Sequence, residues 1–421
     1  MGKLKNMLMT LKSKGFFDIF NATVINSVVS FAYGIFIVRI MSKTEYGIFS
    51  YAQNILTFGF LFCSLGLNIG VMQYCSEERD IEQKRGFSKI ALFGGFIASI
   101  ITIIGLLIYS RLDRSGIEGV GICLLSMSFL CILYHIKEWI TSNLRWQYKN
   151  REYGVVMNIH SVMNAGCAIA GAIIGGIYGV VIGIYIAYLI AICVGLRYLK
   201  QDLSPICQEK LPNQYICKGF VSFSVVMCVV NAMISVLFTI DVFVIGNVLN
   251  DAEQVAMYKT ASLIPFALNM IPNSVMTFMY PHMSKNKENK QWLKKTLKKL
   301  YLANGALNIF IGICLILVSN ILIKILFGEA YADTVIIFRI LIISYMISST
   351  LRTPSANILG MLKLTKTAFI ISAVTVVISV TLSYTLVNSI GIIGAAIGSC
   401  ITFSIVGIVS FIIIIGYVYK K

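Results

Sequence analysis

The chain has 421 residues, of which 57 % are hydrophobic and 13 % charged, and its mean hydropathy is +0.83. A soluble domain carries about a quarter charged residues; too few are present here to cover two or three such domains, so the cytosolic-enzyme readings fall away and the chain belongs in a bilayer. The net charge of +17 would suggest nucleic acid for a soluble protein, but in a bilayer it is first a topology signal.

A helix needs about 20 mostly apolar residues to cross the hydrocarbon core, and charge-free stretches of that length recur along the chain. Ahead of the first, Leu4, Met7, Leu8 and Leu11 among four lysines suggest either a short interfacial helix or a solvated basic tail over residues 1–15. Phe16 to Val38, with Asp18 near its start, Tyr46 to Tyr74, Ile90 to Ser110 and Gly119 to Ile136 read as spans one to four. Tyr153 to Leu196 is too long for one crossing, and Gly175, Gly176 and Gly179 mark a tight turn in its middle, which gives spans five and six. After a linker over 201–218 that holds Pro205 and Pro212, Gly219 to Leu249 with Asp241, Thr260 to Met283 and Leu300 to Ile323 are spans seven to nine. Ile340 to Met361 contains Arg352, and Thr367 to Tyr419 is double length and broken at Asn388, Ser389 and Gly391, which completes twelve.

Lys and Arg are retained on the cytoplasmic side of short loops. With the N-terminus inside, 26 of the 35 cations fall on that side and seven on the other, while Lys137 and Arg352 lie within hydrophobic segments. Both termini are therefore expected in the cytoplasm, and the excess charge needs no nucleic-acid partner. Most of the eleven cysteines lie in or beside apolar stretches, and His135, His160 and His282 are far apart. Neither a disulfide framework nor metal-ligand spacing is present, and no P-loop, HExxH or nucleotide-binding glycine pattern calls for a cofactor.

An even number of spans per half puts both halves in the same orientation. A shift of 209 residues sets Gly47, Ile48, Phe49 and Ala52 on Ala256, Met257, Tyr258 and Ala261 at equivalent loop-to-helix transitions. The expected architecture is an all-α integral membrane protein of about twelve spans, with an N-terminal six-helix lobe over 16–200 and a second over 219–421, related by a parallel pseudo-repeat.

Phe36-Ile37-Val38-Arg39-Ile40-Met41 followed by Thr44-Glu45-Tyr46-Gly47-Ile48-Phe49-Ser50 resembles the first-helix element of polysaccharide-type flippases. Ile240-Asp241-Val242-Phe243-Val244-Ile245-Gly246, Ala256-Met257-Tyr258-Lys259-Thr260-Ala261 and Tyr280-Pro281-His282-Met283-Ser284 are similar to the seventh- and eighth-helix pattern. Leu326-Phe327-Gly328-Glu329-Ala330-Tyr331, Asn357-Ile358-Leu359-Gly360 and Ile390-Gly391-Ile392-Ile393-Gly394-Ala395-Ala396-Ile397 continue in the same order. The chain thus resembles the Wzx-type, polysaccharide-transport branch of the multidrug/oligosaccharidyl-lipid/polysaccharide exporter superfamily, which is MATE-like in fold. It departs from the family at Met41-Ser42-Lys43, where leucine-glycine-proline is usual, and at Ala256, where glycine is.

The resemblance implies a flippase in the bacterial inner membrane that moves an undecaprenyl-pyrophosphate-linked oligosaccharide from the cytoplasmic to the outer leaflet, for O-antigen or a similar glycan. Its partners would be that lipid-linked substrate, membrane lipids and the polysaccharide polymerase and chain-length machinery. Charges inside apolar spans usually face a cavity or a partner. Arg352, mid-span, is the first candidate for holding phosphate, by bidentate guanidinium geometry. Arg39, Lys259 and Arg339 lie near outer ends and serve either as ligands or as interfacial anchors. Asp241 either pairs with one of these cations or titrates and couples transport to protons or sodium. Pro265, Pro272 and Pro281 in span eight and Pro354 in span ten are expected kink points. The alternatives are a cation-coupled drug exporter of the same superfamily, which would want more acid than base in its lumen, and a multi-span enzyme such as an O-antigen polymerase, for which the outer loops leave little room.

Overall fold

The computed structural model describes residues 16–112, 115–285, 289–362 and 364–419; the expected basic segment 1–15 lies outside them. In hydrocarbon every backbone amide and carbonyl must be paired within the chain, which leaves helices as the economical solution. The described residues are 91 % helical and contain no strand. In chain order the helices are α1 (Phe16–Ile40), α2 (Lys43–Phe62), α3 (Leu67–Tyr74), α4 (Ile81–Leu112), α5 (Val120–Ser128), α6 (Leu130–Trp146), α7 (Asn150–Gln208) and α8 (Gln214–Leu249). They continue as α9 (Ala252–Leu268), α10 (Met270–Lys285), α11 (Lys290–Leu317) and α12 (Ser319–Phe327). A 3-10 turn, Glu329–Thr334, then leads to α13 (Val335–Ile347), a π-turn (Ser348–Arg352), α14 (Thr353–Met361), α15 (Thr365–Ile390) and α16 (Ile392–Tyr419).

Among the described residues eight helices are long and apolar enough to cross a membrane, or ten if two bent pairs count as single spans. The bent pairs are α2 with α3, at 46°, and α5 with α6, at 41°. The difference from twelve has a local cause. Helix α7 runs on for 59 residues but leaves helical geometry at Gly175 and Gly176, where two helices meet. The expected span eight is divided at Asn269 into α9 and α10, of 17 and 16 residues.

Residue contacts sort the chain into two compact units, which among the described residues take in 16–41, 52–112 and 118–232, and 42–51, 115–117 and 233–419. Helices α2 and α8 each give residues to both.

The first unit packs around Phe87, Trp139, Leu144, Trp146, Leu199 and Phe220, all buried. A satisfied polar knot sits beside them: Ser88 Oγ and Trp146 Nε1 donate to Asn143 Oδ1 at 2.7 and 3.0 Å, and Trp139 Nε1 donates to the Ser88 carbonyl at 2.9 Å. The polarity pattern is inverted relative to a soluble helix, as lipid requires. On α4 Ile97, Ile101, Ile104 and Ile108 are exposed at helical spacing, while Ala91, Ala98 and Ser99 are buried. Helix α6 continues ten residues beyond Ile136, the expected end of span four. It can do so because Lys137, though buried, pairs with Glu138 at 2.8 Å and lies 5.7 and 5.8 Å from the Tyr134 and Tyr188 ring centroids.

In the second unit Met276, Leu293, Leu297, Leu300, Ile358, Leu359 and Ile414 pack as a buried cluster. Two of its spans are broken. Pro265 lies inside α9, and Asn269, which follows that helix, donates from Nδ2 to the Pro265 carbonyl at 3.0 Å. Pro272 occupies the first turn of α10, where an absent N–H costs little, and the side chain of Pro281 lies outside the described residues. In the other broken span Pro354 is the second residue after the π-turn.

Each unit also holds a helical hairpin. At the tip of α7 Gly176 has φ +54°, and between α15 and α16 Gly391 has φ +66°, a backbone region that side chains rarely enter. Three residues on, a Cβ at Gly179 would overlap the Gly171 carbonyl oxygen, and one at Gly394 the Leu386 carbonyl oxygen. Seven residues on, a Cβ at Gly183 would overlap the Cys167 carbonyl, while one at Gly398 would sit in ordinary contact, 3.5 to 3.6 Å from Leu382 and Ser383 backbone atoms. Both hairpins therefore follow one G-x2-G-x3-G register, displaced by 215 residues rather than 209.

Candidate functional site

Within the second unit α8, α9, α13, the π-turn and α16 enclose a cavity of about 50 Å³ to a water-sized sphere, room for a small water cluster rather than for a sugar chain. Its lining is partly aromatic, with Phe238, Phe266 and Phe403, and partly polar, with Asp241, Lys259, Ser344, Tyr345 and Ser348.

Asp241 stands on α8 and is buried. Its carboxylate accepts from the Tyr258 hydroxyl at 2.6 Å, from Ser383 Oγ at 2.6 Å and from Ser399 Oγ. Four helices, α8, α9, α15 and α16, thus meet at one carboxylate, and its partners are hydroxyls. The ion pairs among the described residues lie elsewhere.

Arg352 closes the π-turn. Its Nε donates to Ser348 Oγ at 2.9 Å, and its guanidinium carbon lies 4.4 Å from the Phe403 ring centroid and 5.3 Å from that of Phe238. The same serine and both rings line the cavity, so Arg352 flanks it. Lys259 lines it directly, and among the described residues its ammonium has no ion-pair partner. Two cations against one carboxylate leave the site net positive. In low dielectric, fixed cations held by aromatic faces and hydroxyls attract a phosphate-type anion.

Arg352, Lys259 and Asp241 are therefore brought to one place, with Pro265 in its wall. Arg339 is not among them: it donates from Nε to Ser319 Oγ at 2.8 Å and ties α13 to α12. Arg39 is exposed in the last turn of α1, in the first unit. The site also uses Tyr258, Ser383, Ser399 and Ser348, which a reading of charges passes over. Hydroxyls recur throughout the spans, and only the fold singles out the three that converge on Asp241.

Residues 13–287 match the polysaccharide biosynthesis protein family. The chain belongs to that family. As a multi-pass membrane member of the polysaccharide biosynthesis proteins it is 25 % identical, over 380 residues, to a Shigella flexneri protein assigned as an O-antigen transporter, covering 86 % of this chain and 88 % of that one. Its fold is shared with the lipid II flippase MurJ in an inward closed conformation, at a TM-score of 0.76 and 16 % identity, over 94 % of this chain and 87 % of MurJ. It is also shared with an inward-facing multidrug resistance MATE family transporter, at a TM-score of 0.75 and 12 % identity, over 94 % and 96 %. A MOP superfamily transporter from Pyrococcus furiosus, whose binding pocket is of reverse polarity, aligns at a TM-score of 0.60 and 14 % identity, over 97 % and 96 %. These relatives are transporters and flippases rather than enzymes.

Proposed function

We propose that this family member is a flippase that carries an undecaprenyl-pyrophosphate-linked O-antigen repeat, or a similar surface-glycan repeat, from the cytoplasmic to the outer leaflet by alternating access of two lobes. It acts in the bacterial inner membrane with both termini in the cytoplasm, and passes its cargo to the polymerase and chain-length machinery. A pyrophosphate and several sugars cannot enter hydrocarbon unaided, because their polar groups would lose water with nothing in exchange. The observation that carries the reading is the net positive cavity. Arg352 is half-buried at mid-span beside the cavity, held by Ser348 and two phenyl faces, and Lys259 lines the cavity itself. Arg352 and Lys259 hold the anionic headgroup; Arg39 and Arg339 guide it near the outer ends of their helices. Asp241 either anchors four helices through its hydroxyls or binds the coupling cation.

Deleting the gene in its host should make the lipid-linked repeat accumulate on the cytoplasmic face, and an Arg352→Ala copy should fail to clear it while remaining inserted and abundant. Accumulation on the outer face would overturn the reading in favour of a polymerase. The drug-exporter alternative draws on the aromatic wall of Phe238, Phe266 and Phe403. The cavity's carboxylate is engaged by three hydroxyls, however, and two cations oppose a cationic drug.

A further inference from the structure

The span that carries Arg352 is interrupted where it matters most, and the interruption is bridged from outside. In the π-turn the Thr353 N–H donates to the Ser348 carbonyl, five residues back. The next donor in that pattern would be residue 354, which is proline and has no N–H. The Ser349 carbonyl is thereby deprived of its own helix's donor in a buried site, where an unmade hydrogen bond is costly.

Helix α11 supplies the replacement. Asn304 Nδ2 donates to the Ser349 carbonyl at 2.7 Å. Asn308 Nδ2 donates to the Asn304 carbonyl at 2.7 Å and to Asn304 Oδ1 at 3.0 Å, and Asn308 Oδ1 accepts from the Tyr345 hydroxyl at 2.5 Å. A turn away, the hydroxyls of Tyr301 and Ser355 are 2.7 Å apart. Residues 301, 304 and 308 share one face of α11, and they grip the broken span before, within and after the π-turn, at Tyr345, Ser349 and Ser355. Gly305, on that same face, lets the helices close up: a Cβ there would come 2.9 Å from Thr350 Cγ2.

We infer that Asn304, Asn308 and Tyr345 are positioning residues, a polar splint that holds the π-turn in register and so fixes Arg352 against the cavity. This rests on Arg352 being the anion ligand of the proposed flippase. The splint itself is testable without transport. Asn304→Leu keeps the bulk and removes the donor. In lipid nanodiscs its amides over residues 345–356 should exchange with deuterium about tenfold faster than wild type, as for loss of one buried hydrogen bond, with exchange in α15 and α16 unchanged. Asn304→Leu/Pro354→Ala restores an N–H within reach of the Ser349 carbonyl and should return the exchange to within about twofold of wild type. A packing role for Asn304 would not be rescued at position 354. Unchanged exchange in Asn304→Leu, or acceleration that Pro354→Ala fails to correct, would overturn the splint.

Its service to Arg352 is read separately. Asn304→Leu should lower surface glycan severalfold in the wild-type background and have little further effect in an Arg352→Lys background, because residues acting through one group are not additive. Equal losses in both backgrounds would show that Asn304 does not act through Arg352. If Arg352→Ala itself leaves surface glycan intact, the flippase assignment of Arg352 fails, while the exchange experiment still decides the splint.

Discussion

An arginine at mid-membrane depth is stable only where the protein replaces the water it has lost. Ser348 and the faces of Phe238 and Phe403 do part of that for Arg352, and the donors on its outer nitrogens suit a fork of phosphate oxygens. Arg352→Ala should therefore lower surface glycan about ten- to a hundredfold, the range for losing charged hydrogen bonds, with protein abundance in the membrane unchanged on immunoblots. Arg352→Lys should recover part of the loss, since the charge stays and the fork goes. Reduced abundance of the alanine protein would mark the residue as structural. This arginine was legible in the sequence because a charge in an apolar run announces itself. Ser383 and Ser399 were not, because a serine inside a span is commonplace until the fold turns it toward a carboxylate.

Among the helices, turns governed by glycine were legible and breaks governed by proline only partly so. The cluster Gly175, Gly176 and Gly179 located the α7 hairpin, since φ +54° at Gly176 needs a residue without Cβ. Pro354 suggested a kink, but a π-turn filled from a neighbouring helix depends on Asn304, distant in sequence. The close approach of the two arms of α7 gives a prediction at this scale. Gly179→Ala places a methyl group on the Gly171 carbonyl and should destabilise the protein by about 1–3 kcal/mol, the cost of overpacking. Gly166→Ala, on the same helix with nothing within 4 Å of the added Cβ, should be neutral or stabilise by up to about 1 kcal/mol, through helix propensity. Thermal unfolding in one detergent, followed by tryptophan fluorescence, compares the two. Equal melting temperatures would mean that the hairpin arms do not pack as described.

For the whole molecule the sign of the proposed pyrophosphate-linked cargo matters. Two negative charges carried outward across 100 mV, inside negative, gain roughly 4 to 5 kcal/mol at about 2.3 kcal/mol per charge, provided that the unloaded carrier returns without moving net charge. The potential then suffices for export. On that basis Asp241→Asn should keep substantial flipping in vesicles with an imposed potential, and collapsing the potential should slow the wild type even with the pH gradient kept. A folded but inactive Asp241→Asn protein, or a wild type that follows a proton or sodium gradient alone, would instead make Asp241 the coupling site. Hydropathy and cation asymmetry made the membrane class and the order of the spans readable at this scale. They could not foresee that α2 and α8 each give residues to both compact units, since that allocation depends on which side chains meet in three dimensions.

The shared glycine register of the two hairpins bears on the history of the chain. Side chains drift freely where any apolar residue will face lipid, but a backbone that only glycine can adopt is erased far more slowly. Gly176, Gly179 and Gly183 recur as Gly391, Gly394 and Gly398, whereas Gly171, where a Cβ would likewise overlap the Gly179 carbonyl oxygen, is matched in that register by Leu386. Such a shared register is what a parallel pseudo-repeat of two lobes would leave behind. The two tips should accordingly be interchangeable parts. Grafting residues 176–183 in place of 391–398 ought to yield a chain that still inserts and still runs as one species on size-exclusion chromatography, whereas the same graft displaced by one residue should not.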